Sequence, residues 1–140
     1  MYKKTNSTAI IRLEDGAFIP ADSGNVDYAG YLEWVAEGNK PSDVDAPTLT
    51  QQIAAYEASA QSSLDAGAKA WGYDSIVSAS SYAASSIPKF KAEALALIGW
   101  RDATWVAAET LLAAVQGGAT PPATPAAFVA QMPAQPVRPA

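Results

Sequence analysis

The sequence predicts an α+β fold, mostly α: a small N-terminal β-hairpin plus helix, followed by a C-terminal helical hairpin or bundle and an extended Pro/Ala-rich tail. Residues 9–20 place two β-prone runs on either side of Asp15-Gly16, and residues 49–71 and 89–116 carry apolar side chains at helical spacing. After residue 118 the composition turns to Ala, Thr and Pro. These shifts divide the chain into a hairpin-helix module at 9–39, a linker at 40–48, a helical domain at 49–117 and a tail at 118–140.

Asp15-Gly16 suits the positive φ angles of a tight type I′ turn, and Pro20 ends the second strand. An isolated hairpin is marginal in water, so this one needs the following helix or another chain to lie against. With Ile10, Phe18 and one of Ile11 or Ile19 on a buried face, the other face is left for pairing. Asp27 is placed to cap a helix over 28–37 by accepting from its free first-turn amides. Tyr28, Tyr31, Leu32 and Val35 form a stripe along it at three-and-four spacing, and Trp34 falls off the centre of that stripe. Gly38-Asn39 supplies a left-handed stop before Pro41. The 40–48 segment contains Pro41 and Pro47 and no periodicity, which marks it as the boundary between modules.

Thr48 or Thr50 caps the next helix, which runs to about Trp71 with Leu49, Ile53, Tyr56, Ala60, Leu64 and Trp71 near one face and Gln, Ser and Ala opposite. Gly72 interrupts it, and Asp74 caps a short helix over 75–84. Ser86 caps the longest helix, 89–116, with Pro88 tolerated in its first turn. There Phe90, Ala94, Leu97, Ile98, Arg101, Trp105, Ala108, Leu112 and Val115 repeat at three and four until Gly117-Gly118 stops the run. Thr124 or Pro125 starts a turn or two of helix through Phe128, Val129 and Met132. Pro133 to Ala140 reads as extended, and the tail as mobile unless it docks on a neighbour.

Composition narrows the function classes. Of the 140 residues 49% are apolar, but alanine supplies much of that, so the core rests on few large side chains, four Trp and six Tyr among them. A modest core of this kind often gains stability from a partner. A net charge of -5 with a pI near 4.5 leaves no phosphate-binding surface, so nucleic acid is not an expected partner. The chain has no Cys and no His, which removes disulfides, thiolate chemistry and the commonest base and metal ligand near neutral pH. No cofactor and no metal are expected. The N-terminal lysines precede an apolar run too short for a signal-peptide core, and no later run is of bilayer length, so the expectation is a cytoplasmic chain without a membrane partner.

Arg101 lies within the apolar stripe of the long helix, and a buried guanidinium needs an acidic or carbonyl partner. Asp74 is the candidate. An anion pocket and a structural ion pair are the two readings, and a single arginine without a glycine-rich loop or second base favours the structural pair. Glu33 and Glu37, one turn apart, read as a solvated face rather than an acid/base pair. Serines 75, 78, 80, 81, 85 and 86 have no histidine base. A dyad with Lys69, Lys89 or Lys91 stays open beside the reading in which these serines cap turns and allow close packing. No catalytic residue is assigned. Among the aromatics Trp34, Trp71, Trp100, Trp105, Tyr73 and Tyr82, Trp105 fits the core, whereas Trp34 and Trp100 lie beside their stripes. A wide core and a partner interface are the two readings of such off-stripe aromatics. Phe18, Trp34 and Trp100 are therefore the candidate partner contacts.

The same residues carry a family resemblance. Ile11-Arg12-Leu13, Asp15-Gly16-Ala17, Ile19-Pro20, Asn25, Asp27-Tyr28, Tyr31-Leu32, Trp34, Ala36, Gly38-Asn39 and Pro41 resemble the opening of small tail-fibre assembly proteins of tailed phages. Gly72-Tyr73-Asp74-Ser75-Ile76, Ser78-Ala79, Tyr82-Ala83, Pro88, Phe90, Glu93-Ala94, Trp100-Arg101-Asp102-Ala103 and Trp105 are similar to a helical segment recurring in that group. The resemblance covers most of residues 9–115. It implies a noncatalytic chaperone, working in the bacterial host cytoplasm during assembly, that binds a tail fibre or baseplate protein and helps the fibre trimerise. In some systems such a protein stays in the virion tail. It transfers no catalytic or metal residue, and homo-oligomerisation is a further option. The hairpin would offer its edge to a fibre strand. The alternative function is a structural virion component of the tail, baseplate or fibre, with an enzyme third.

Overall fold

The structure is a computed structural model that describes all 140 residues. Its fold is α+β and mostly α, with one three-stranded antiparallel sheet and five α-helices. The chain divides into two compact units, Met1–Pro47 and Thr48–Ala140.

In the first unit, β1 (Tyr2–Lys4), β2 (Ile10–Arg12) and β3 (Phe18–Ile19) lie side by side in that order. The expected hairpin is β2 with β3, paired as Ile10↔Ile19 and Ile11↔Phe18. β1 is an addition to it. Tyr2-Lys3-Lys4 has no apolar alternation to announce a strand, and its lysines find carboxylates far along the chain: Lys3 pairs with Asp45, and Lys4 with Asp43 at 2.7 Å. The outer edge of β1 is covered by Ser42, whose carbonyl accepts from the Lys4 amide and whose amide donates to the Tyr2 carbonyl, both at 2.9 Å. Residues 42–45, placed in the expected linker, thus fold back onto the sheet.

The turn between β2 and β3 is longer than the expected type I′. That turn needs positive φ at two central residues, and only Gly16 has it, at 72°. Asp15 is held instead by Arg12, whose Nη2 donates to its carboxylate at 2.7 Å, and Asp15 accepts from the Ala17 amide at 3.1 Å. Side-chain bonding of this kind to the following backbone is the usual device of an aspartate in a turn. The Arg12 carbonyl accepts from Gly16 N at 2.9 Å, and the Arg12 amide donates to Ala17 O at 3.0 Å.

Helix α1 (Val26–Ala36) is capped by Asn25, whose side chain accepts from the amides of Asp27 and Tyr28. Asp27, the expected cap, sits in the first turn, where a negative charge is stabilised by the positive end of the helix dipole, and pairs with Arg12 at 2.6 Å. Gly38 ends the helix at φ 92°. Tyr2, Ile10 and Ile19 form the buried face of the unit, with Tyr28, Tyr31 and Trp34 packed over them. The Trp34 ring meets Tyr2 edge-on at 5.1 Å, and Tyr31 meets Tyr2 likewise at 5.2 Å. Phe18, one register position away from Ile19, falls on the opposite face of the sheet and is 64% exposed.

The second unit contains α2 (Leu49–Ala70), α3 (Ile76–Ser80) continuing into a 3-10 turn (Ser81–Ala84), α4 (Pro88–Gln116) and α5 (Pro125–Val129). Thr48 and Gln51 form a reciprocal capping box at the start of α2, which satisfies two first-turn donors at once. Gly72 turns the chain at φ 97°. Ser75, rather than Asp74, caps α3. Before α4 it is Ser85 that accepts from the Ile87 amide, at 3.2 Å, so Ser86 does not cap, and Pro88 occupies the first turn. The core joins Leu64, Ala68 and Trp71 with Ile76, Ala79, Leu97 and Trp100.

The tail departs most from expectation. It is folded onto its own helices rather than mobile. Phe128 is buried and stacks on Tyr56 with centroids 5.0 Å apart. Pro133 O accepts from the Trp100 indole at 2.8 Å, Gln135 donates to Gly67 O at 3.0 Å, and Arg138 Nε donates to Glu93 at 2.7 Å. Buried polar groups need partners, and an extended proline-rich segment has carbonyls that no helix consumes.

Candidate functional site

The buried face of α4 changes partway along the helix. Glu93, Ala94, Leu97, Trp100 and Thr104 are buried in its first half. Beyond Thr104, Trp105 packs half-buried against the edge of that core, and with Ala108, Leu112 and Val115 it faces the first turns of α2, where Leu49, Ile53 and Tyr56 recur at helical spacing. Between these rows lies a half-open groove of about 150 Å³. Pro121, Pro122 and Phe128 close one side, held there by the Tyr56 hydroxyl, which donates to the Pro122 carbonyl. Apart from Glu57 and Glu109 the lining is apolar or aromatic, and no basic residue contributes to it. Both carboxylates are exposed, and the ion pairs of the chain all lie elsewhere. Concave, mostly apolar surfaces with a few polar groups at fixed positions are the common form of a binding site.

The sequence-based candidates land in different places. Phe18 is on the outer face of β3, the strand that ends the sheet. Trp34 belongs to the packing of the first unit. Trp100 is 8% exposed, in the centre of the second unit's core, with its indole bonded to Pro133. Trp34 and Trp100 are thus packing residues, because the helix faces they occupy are rotated from the stripes the sequence pattern placed there. The expected Asp74–Arg101 pair is not formed. Arg101 donates to Asp102 at 2.7 and 2.9 Å and to the Ser80 hydroxyl at 3.2 Å. With its side chain 34% exposed, this guanidinium does not need a distant buried carboxylate. The serines serve the backbone: Ser75 caps, and the hydroxyls of Ser80 and Ser81 donate to carbonyls of the preceding turn at 2.7 Å.

The buried charge of the unit is Glu93, 1% exposed, which accepts from Arg138 and, at 2.7 Å, from the Tyr73 hydroxyl. The Arg138 bond holds the Glu93 carboxyl below its usual range against the opposing effect of burial, and Tyr73 assists. Tyr73 is pushed up to about 12 by burial and by the carboxylate beside it. In the sequence, Glu93 stands four residues before Leu97 and seven before Trp100, a spacing that places a carboxylate on the core face. The groove had a weaker signal: Leu49, Ile53 and Tyr56 and the end of the long helix read as ordinary core positions. No three potential metal ligands converge anywhere, and no helix is long and apolar enough to cross a membrane.

Comparison with protein-family models, with curated proteins and with solved structures returned no match.

Proposed function

We propose that this chain is a noncatalytic assembly chaperone for the tail fibre of a tailed phage, acting in the bacterial host cytoplasm by holding a fibre segment until the fibre has trimerised. The observation that carries the reading is the groove between α2 and α4, an apolar surface the chain leaves open while its own tail packs over Trp100 and Glu93. Exposed apolar surface of this kind marks interaction sites. The motif resemblance in residues 9–115 supplies the class of partner. A second contact is available on β3, where Phe18 is exposed and the strand has a neighbour on only one side. An unpaired strand edge is a template for adding an extended segment of a partner.

The alternative, a permanent virion component, drew on a tail free to thread along a neighbouring subunit. That segment is engaged within its own unit, which withdraws the argument. Co-expression with the neighbouring fibre gene tests the proposal. The fibre chain is expected to co-purify, and its soluble trimer to fall when Phe18→Ala replaces the wild type. Equal trimer yield in the absence of the chain contradicts the reading.

A further inference from the structure

We infer that the groove takes a single aromatic side chain from a basic partner segment, with lysine or arginine flanking that side chain. This rests on the reading of the groove as a docking site and adds what occupies it.

Size comes first. About 150 Å³ of apolar space is the scale at which a cavity lined by aliphatic and aromatic side chains stays dry and admits a benzene ring. The walls suit a ring, since Tyr56, Trp105 and Phe128 present aromatic surface from three elements, and aromatic pairs gain from offset or edge-on contact beyond the area they bury. The one hydroxyl in the lining, that of Tyr56, is already donating to Pro122. Charged contact is left to the rim. There Glu57 and Glu109 supply two negative charges without an ion-pair partner, so the groups entering beside the ring are cations.

Charge also disfavours a second copy of this chain as the occupant. Its most exposed aromatic, Phe18, lies between Asp22 and the acids Glu14 and Asp15, which are paired with the N-terminal amine and Arg12, and the whole chain carries -5. Bringing that segment to Glu57 and Glu109 sets like charges against each other, which disfavours the contact.

The test uses three capped pentapeptides on the full chain: Lys-Ala-Phe-Ala-Lys, its acidic counterpart Glu-Ala-Phe-Ala-Glu, and Lys-Ala-Ala-Ala-Lys. The readout is the set of four indole N–H resonances. The first peptide is expected to shift the Trp105 signal saturably and leave the buried, Pro133-bonded Trp100 unmoved. The acidic peptide should bind about fivefold or more weakly at low salt, and the peptide without the ring should not saturate. Substituting Glu57→Gln and Glu109→Gln together, both at exposed positions, should remove the preference for the basic peptide while keeping the ring contact. Equal binding of the acidic and basic peptides, a Trp105 signal that does not respond, or a Trp105 shift that depends on protein concentration without peptide, as a second copy would give, overturns the inference. Its fate is separable from that of the chaperone reading. If the peptides fail while the fibre still requires the chain to trimerise, the inference falls alone. If they bind as stated and the fibre trimerises without the chain, the inference stands and the chaperone reading falls.

Discussion

Gly67 on α2 faces the Trp100 ring so closely that a Cβ added there would lie 2.4 and 2.5 Å from two ring carbons and 3.1 Å from the Gln135 side chain. The ring cannot retreat freely, because its indole is bonded to Pro133. Gly67→Ala gains about 1 kcal/mol of helix propensity and meets an overpacking cost of about 1–3 kcal/mol or more. The net expectation is a lower Tm. Gly99 on α4 has nothing within 4 Å of its would-be Cβ, so Gly99→Ala keeps the propensity gain of about 0.5–1 kcal/mol and raises Tm by a few degrees. Thermal unfolding of the two variants checks the pair, and matching shifts in the same direction would contradict the packing described. Neither result is legible in sequence. Gly67 falls on the same helix face as Leu64 and Trp71, three and four residues away, but the side chain that makes a glycine necessary there arrives from a helix 33 residues away.

At the scale of elements, the local punctuation of the chain is what could be read. Asp15-Gly16 turns a hairpin, Gly38, Gly72 and Gly118 end their helices with positive φ, and Thr48 caps α2. These signals are legible because each depends on a few adjacent residues. β1 and the tail escaped for the opposite reason. Their bonds run to Ser42, Asp43 and Asp45 in one case and to Gly67, Glu93 and Trp100 in the other, and much of that bonding is by backbone carbonyls, which hydropathy does not register.

The tail has a pH signature. Arg138 holds the Glu93 carboxyl below the ordinary value of 4.5. A carboxyl whose pKa is lower in the folded state adds stability above its unfolded pKa and loses that contribution as pH falls through the folded value. The Tm gap between wild type and Arg138→Gln is therefore expected to be full at pH 5 to 7 and to shrink below pH 4.5. Circular dichroism melts across that range check it, and a gap independent of pH contradicts the role given to the pair.

Taken as a whole, the molecule keeps two separate cores, one built on Tyr2, Ile10 and Ile19 and the other on the helices around Leu64, Leu97 and Trp100. Binary patterning reveals that both exist. It does not reveal which apolar positions of a long helix remain uncovered, because core and groove residues obey the same three-and-four spacing. Leu112 therefore reads as core, and Trp100 as interface, until the helices are placed, whereas Ala94 and Leu97 are core as expected and Trp105 packs against that core. A shift of the buried face of α4 toward Glu93, Trp100 and Thr104, by less than the roughly 100° that separates neighbouring residues on a helix, exchanges the roles of Trp100 and Leu112. The function proposed for the molecule follows from that exchange, since it moves the candidate binding surface from the off-stripe tryptophans to the groove beside Glu57 and Glu109.

The most direct test is the yield of soluble fibre trimer, measured by sedimentation, when the fibre chain is made alone, with the wild-type protein and with the Glu57→Gln, Glu109→Gln double variant. The account predicts little trimer alone, a clear rise with wild type and a smaller rise with the variant. The same trimer yield in all three preparations would contradict it.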